Sequence, residues 1–128
     1  MDNIEKILWG TSAITLLQIM TGFYLSQISD PINSPVLVFH VLTAILLLVT
    51  GVASFLVVKG ILRLRNLASV NIFLIIITII TGSGFIIFKS SDLYGEFMPY
   101  IQMLLSIGII SNYAVMLGIK RTLNMIRQ

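Results

Sequence analysis

The 128-residue sequence contains no cysteine, which excludes disulfides, thiolate-held metals, iron–sulfur clusters and cysteine nucleophiles together. Charge is almost as scarce. Asp, Glu, Lys and Arg make up 10% of the residues, whereas a water-soluble domain carries about a quarter, so neither a soluble fold nor a disordered tail fits. There is one histidine and one tryptophan, and there are three prolines. The net charge of +3 comes from few cations, which are divided among segment ends and form no stripe that would track a nucleic-acid backbone.

Hydrophobic residues make up 57% of the chain, and the mean hydropathy is +1.02. Four uncharged runs separate the charges: Ile7–Ser29, Pro31–Val58, Asn66–Phe88 and Phe97–Ile119. Each exceeds the roughly 20 residues that a helix needs to cross a bilayer core. The cations define an orientation. Lys6, Lys59, Arg63, Arg65, Lys120, Arg121 and Arg127 fall on one side and Lys89 alone on the other, so the positive-inside rule places both termini in the cytoplasm and the loops around Ser34 and Ser91 outside. Met1–Lys6 is net acidic and no small-residue cleavage site follows the first run, so the first span is expected to remain.

These observations predict an all-α, multi-pass protein of the cell membrane, with residues 1–128 as one transmembrane domain. The expected helices cover about 4–26, 35–59, 67–88 and 99–120. Pro31 and Pro35 mark the first outer turn, and Pro99 marks the start of the last helix. Short connections favour an up-down-up-down four-helix bundle. Thr21-Gly22 recurs as Thr81-Gly82, so a tandem repeat of two helix pairs is one reading and shared apolar composition the other; at that offset of 60, His40 corresponds to Tyr100.

Small and polar residues at helical spacing mark the faces that should meet: Thr11, Thr15, Gln18 and Gly22; His40, Thr43, Leu47, Thr50 and Ser54, with Ala44 and Gly51 beside them; Asn71, Thr78 and Gly82; Gln102, Ser106 and Tyr113. His40 is the one side chain with real chemical capacity inside the membrane, since no Asp, Glu, Lys or Arg lies deep in any span. It lies about five residues into the second helix, roughly 7 to 8 Å deep. Three chemistries suit it: an axial haem ligand, a hydrogen-bond partner of quinone, or a proton acceptor. The structural alternative is an interfacial histidine bonded to Tyr100, Gln102 or a loop carbonyl. Thr43 and Ala44, one turn below, leave room for a flat macrocycle. A second haem ligand would come from Met20, Met103, another copy's His40 or a partner protein.

The stretch Gln18-Ile-Met-Thr-Gly22, a polar loop containing proline, and then His40-Val-Leu-Thr-Ala44 resembles one helix pair of haem A synthase and its half-size, four-helix archaeal relatives. The resemblance covers about a quarter of the chain. It implies that His40 ligates haem iron near the outer face and that Gln18 and Gly22 shape the neighbouring helix. The family's four-helix unit has another histidine and its catalytic half a nearby glutamate. Neither is present, which points to a derived, partnered or non-catalytic relative rather than to haem A synthesis.

No Walker loop, Gly-x-Ser-x-Gly or His-Glu-x-x-His motif occurs, and Gly82-Ser-Gly84 reads as a packing spot. Trp9, Phe23, Tyr24, Tyr94 and Phe97 are placed to anchor at headgroups. The expected function is that of a small subunit of a larger respiratory or electron-transfer membrane complex, with His40 holding haem or contacting quinone and no catalysis by the chain alone. The rival is a non-catalytic structural or assembly subunit that packs through aliphatic surfaces such as Ile75–Ile80. A stand-alone transporter ranks below both, because the spans lack charges and broken helices at midplane. The expected partners are larger membrane subunits, the lipid bilayer and a second copy of the chain, with no nucleic acid.

Overall fold

The computed structural model describes residues 1–87 and 92–128, with Asp92 described by its backbone alone. The expected end of the third helix at Phe88, the outer cation Lys89 and the loop position Ser91 lie outside the described residues. Four helices occur in order: α1 (Asn3–Gln27), α2 (Pro35–Val58), α3 (Leu62–Ile87) and α4 (Asp92–Arg127). All four are long and apolar enough to cross a membrane.

Local chemistry accounts for the boundaries. Asp2 is the N-cap of α1 and accepts a hydrogen bond from the Glu5 amide at 2.9 Å, satisfying one of the donors that a helix start leaves free. Ser34 caps α2 in the same way, accepting from the Val36 amide at 3.2 Å, and Pro35 occupies the first turn, where its missing N–H costs nothing. Asp30 accepts from the Asn33 amide side chain at 2.7 Å and tightens the turn between α1 and α2.

Three boundaries differ from the sequence expectation. Helix α3 starts at Leu62 and not near residue 67, so Arg63 and Arg65 lie in its first turns. Helix α4 runs from Asp92 to Arg127 and not from about 99 to 120; Pro99 is carried inside it at the loss of one backbone hydrogen bond. Charge ends a lipid-soluble stretch without ending a helix, because Lys, Arg and Glu are good helix formers. At 1.5 Å per residue, the 36 residues of α4 extend about 54 Å, well beyond a hydrocarbon core of about 30 Å.

Helix α1 packs against α2 and α4, and α3 packs against the same two helices, which closes a four-membered ring. The centre holds Leu8, Leu47, Val58, Leu64, Ala68, Ile75, Ile109, Tyr113 and Met116. Among the described residues the buried set is as rich in polar side chains as in apolar ones. Thr11, Thr15, Gln18, Thr43, Ser54, Asn71, Thr78 and Ser106 are all interior, while Val38, Leu42, Val49, Phe73, Ile80 and Leu104 face outward. In water this arrangement would forfeit the hydrophobic driving force, but in lipid it is the favoured one, because aliphatic surface is solvated by acyl chains and polar groups must find partners inside.

Candidate functional site

His40 sits on α2 one turn above Thr43, and both side chains reach α1. The His40 Nδ1 is 2.6 Å from Thr21 Oγ1, and its Nε2 is 3.2 Å from Gln18 Nε2. The Gln18 amide nitrogen can only donate, so Nε2 of the neutral ring accepts from it, and the Thr21 hydroxyl, which has the Leu17 carbonyl as its own acceptor at 2.8 Å, takes the hydrogen bond from Nδ1. Nδ1 therefore carries the proton. The neutral ring then presents its lone pair at Nε2, where the Gln18 amide donates, and the Gln18 carbonyl accepts from the Thr43 hydroxyl. Donors and acceptors alternate from Thr43 through Gln18, His40 and Thr21 to the backbone of Leu17.

The ring also needs space on α1. A Cβ added to Gly22 would lie 3.2 Å from His40 Cε1, so the imidazole packs directly on the Gly22 backbone. Gln18 and Thr43 are buried, while His40, Gly22 and Ala44 are half-buried. The structure thus brings together five of the seven residues singled out from the sequence: His40, Gln18, Gly22 and Thr43 in one network, with Ala44 beside them on α2.

Tyr100 and Gln102 do not join the His40 network. Tyr100 is 70% exposed. Gln102 reaches from α4 to α3, donating to the Thr78 carbonyl at 2.9 Å and to the Thr81 hydroxyl, with its amide 3.8 Å from where a Gly82 Cβ would stand. It covers Thr81-Gly82 much as His40 covers Thr21-Gly22. Tyr94, expected at the headgroups, turns back onto α3: its hydroxyl donates to the Thr81 carbonyl, its ring meets Phe85 edge-on at 5.1 Å, and a Cβ on Gly84 would overlap it. A glycine at 84 is what admits the phenol.

Two more polar contacts cross the bundle. At its centre the Thr11 and Ser54 hydroxyls are 3.1 Å apart, and Asn112 donates to Asn71 Oδ1 at 2.9 Å. At the end where α1 begins and α4 finishes, Lys120 pairs with Asp2 at 3.0 Å, while the Asn124 amide reaches Glu5 at 2.7 Å and Asp2 at 3.2 Å. The Glu5 amide, followed by the Lys120 and Asn124 side chains, holds the Asp2 carboxyl down at about 2. The sequence reading did not find this end cluster. Its one local signal is the four-residue spacing of Lys120 and Asn124, which bond to each other at 3.0 Å.

His40 is the side chain best suited to a metal or cofactor, and its Nε2 is the atom that would ligate haem iron. That lone pair is engaged by Gln18, so ligation would require the amide to withdraw. Met20 is 65% exposed and Met103 39% exposed. Among the described residues no three His, Cys, Asp or Glu side chains gather in one place. Comparison of the chain with protein-family models, curated proteins and solved structures found no match.

Proposed function

We propose that the chain is a multi-pass cell-membrane protein, an up-down-up-down bundle with both termini cytoplasmic, that serves as a structural or assembly subunit of a larger membrane complex. The observation that carries this reading is the state of His40. The sole histidine commits both ring nitrogens to Thr21 and Gln18, holding α2 on α1. The outward surface of aliphatic side chains suits lipid, a larger subunit or a second copy of the chain.

A second reading keeps His40 as a haem ligand or quinone contact within a respiratory complex, in line with the resemblance to haem A synthase. It is favoured by the tautomer: the lone pair is on Nε2, facing a single amide of a half-buried ring, and displacing that amide would free it. One variant separates the two readings. After mild-detergent purification, His40→Phe should leave the visible spectrum and the copurifying subunits unchanged if the residue is structural. A Soret band that disappears in the variant, or quinol-dependent electron flux that falls, would establish the second reading instead.

The burial pattern supports a tandem repeat. Leu8, Thr11, Thr15 and Gln18 are interior on α1, and 60 residues on so are Ala68, Asn71, Ile75 and Thr78 on α3. On α2 and α4 the correspondence runs at 62, from Leu47, Gly51, Ser54 and Val58 to Ile109, Tyr113, Met116 and Lys120. At that spacing the counterpart of His40 is Gln102, which explains why the two lie alike over their Thr-Gly pairs and why Tyr100 does not.

A further inference from the structure

By sequence, the end of the bundle that gathers the start of α1, the α2–α3 connection and the finish of α4 carries seven cations and two carboxylates. The tertiary structure redistributes them. Asp2 is engaged by Lys120, Asn124 and the Glu5 amide, and Glu5 by Asn124; Glu5 and Lys120 are 6% and 4% exposed. Both carboxylates are thus satisfied internally, and only one cation is used to do it. Lys6, Lys59, Arg63, Arg65, Arg121 and Arg127 remain exposed.

Two of these six border a cleft. Between the start of α1 and the finish of α4 lies an open hollow of about 700 Å³, lined by Arg121, Arg127, Asn124 and Met125 and also by Asp2, which is paired with Lys120, and Glu5, which accepts from the Asn124 amide. The Arg121 guanidinium lies 6.0 Å from the centre of the Trp9 ring. An indole with one wet and one apolar edge settles at headgroup depth, so Arg121 is held at the level where lipid phosphates lie. Met125 and Ile126 are 66% and 76% exposed beside it, an apolar border that acyl chains would cover and a soluble anion would leave bare.

We propose that this cleft binds the headgroup of an anionic phospholipid, with Arg121 and Arg127 clasping its phosphate. Guanidinium groups match phosphate oxygens in paired hydrogen bonds, and each cation near an anionic leaflet biases the local lipid about five-fold. The proposal rests on the membrane-inserted reading of the chain and is independent of the subunit role.

Trp9 is the sole tryptophan and stands beside Arg121, so its fluorescence reports the lipids at the cleft. In phosphatidylcholine vesicles doped with brominated phosphatidylglycerol, Trp9 should be quenched as though that lipid were enriched about five-fold or more over brominated phosphatidylcholine. The preference should vanish in Arg121→Gln/Arg127→Gln and survive in Arg63→Gln/Arg65→Gln, which removes the same charge elsewhere. Equal quenching by the two lipids in the unmodified protein, or equal loss of preference in both double variants, would overturn the cleft. Abolition of the preference by millimolar inorganic phosphate would reassign it to free anions. Quenching by neither lipid would overturn membrane insertion and the site together.

Discussion

The imidazole of His40 rests on the backbone of Gly22, with His40 Cε1 3.2 Å from the position that a Gly22 side chain would take. That contact lets Nδ1 reach Thr21 while Nε2 reaches Gln18, three residues earlier on the same helix. A bulky residue at 22 removes both bonds at once by lifting the ring.

Gly22→Leu should therefore destabilise the protein by about 1 to 3 kcal/mol, the usual range for overpacking a closed interface. Gly22→Ala should cost less, since the ring need give only a few tenths of an ångström. Reversible unfolding in mixed detergent micelles measures both, and a Gly22→Leu protein as stable as the original would refute the packing.

Gln18 and His40 should be energetically coupled. In a double-mutant cycle of Gln18→Leu and His40→Phe the interaction energy is expected at about 0.6 to 1.7 kcal/mol, the range for interhelical hydrogen bonds in membranes. Gln102→Leu with His40→Phe should be additive, because Gln102 bonds to Thr78 and Thr81 instead. Measurable coupling of His40 to Gln102 would contradict the division of the polar groups into two sets.

Asn71 is fully buried; it receives a hydrogen bond from Asn112 and directs its own amide at the Ile109 carbonyl, 3.4 Å away. Asn112→Ala leaves the Asn71 oxygen without that donor and should cost about 1 to 3 kcal/mol. Replacing both residues by Leu should recover part of the loss, since no orphaned amide remains. If the double variant is less stable than either single one, the pair is not acting as a hydrogen-bonded unit.

The Asp2 carboxyl, lowered to about 2 by the Glu5 amide and then by Lys120 and Asn124, binds its proton more readily in the unfolded chain than in the folded one. Its stabilising contribution is complete above about pH 4, the ordinary carboxylate range, and is lost as the pH falls toward 2. Asp2→Asn keeps a capping side chain but cannot titrate, so the stability difference between the two proteins should shrink across that window. Because Asp2 is 39% exposed, the difference should be modest and weaken with salt. A difference that is constant from pH 5 to 2 would rule out the carboxylate contribution.

Much of the architecture could be read from composition and spacing. Runs such as Ile7–Ser29 leave helices as the only structure that satisfies every backbone group in lipid, and Thr11, Gln18, Thr43, Ser54 and Asn71 mark the inward faces because nothing outside would bond to them. That His40 and Thr43 face Gln18 and Gly22 was legible for the same reason, but the bonding partners of His40 were not: they are Thr21 and Gln18, and not Tyr100, Gln102 or a loop carbonyl. Consecutive helices with a short connection become neighbours, and residues three or four apart share a face.

Which helix each distant polar group faces was decided only in three dimensions. Tyr100 and Gln102 are two residues apart on α4, and helical geometry turns them about 200° from each other, so one is exposed and the other packed on α3. The two-residue difference between the burial spacings of 60 and 62 cannot be seen where apolar residues interchange freely. The meeting of Asp2 and Glu5 with Lys120 and Asn124 joins the two ends of the chain, more than 110 residues apart. Periodicity reports a residue's own helix face and nothing about its distant partner; only the closure of α4 onto α1 sets that partner, through packing summed over the whole length of both helices.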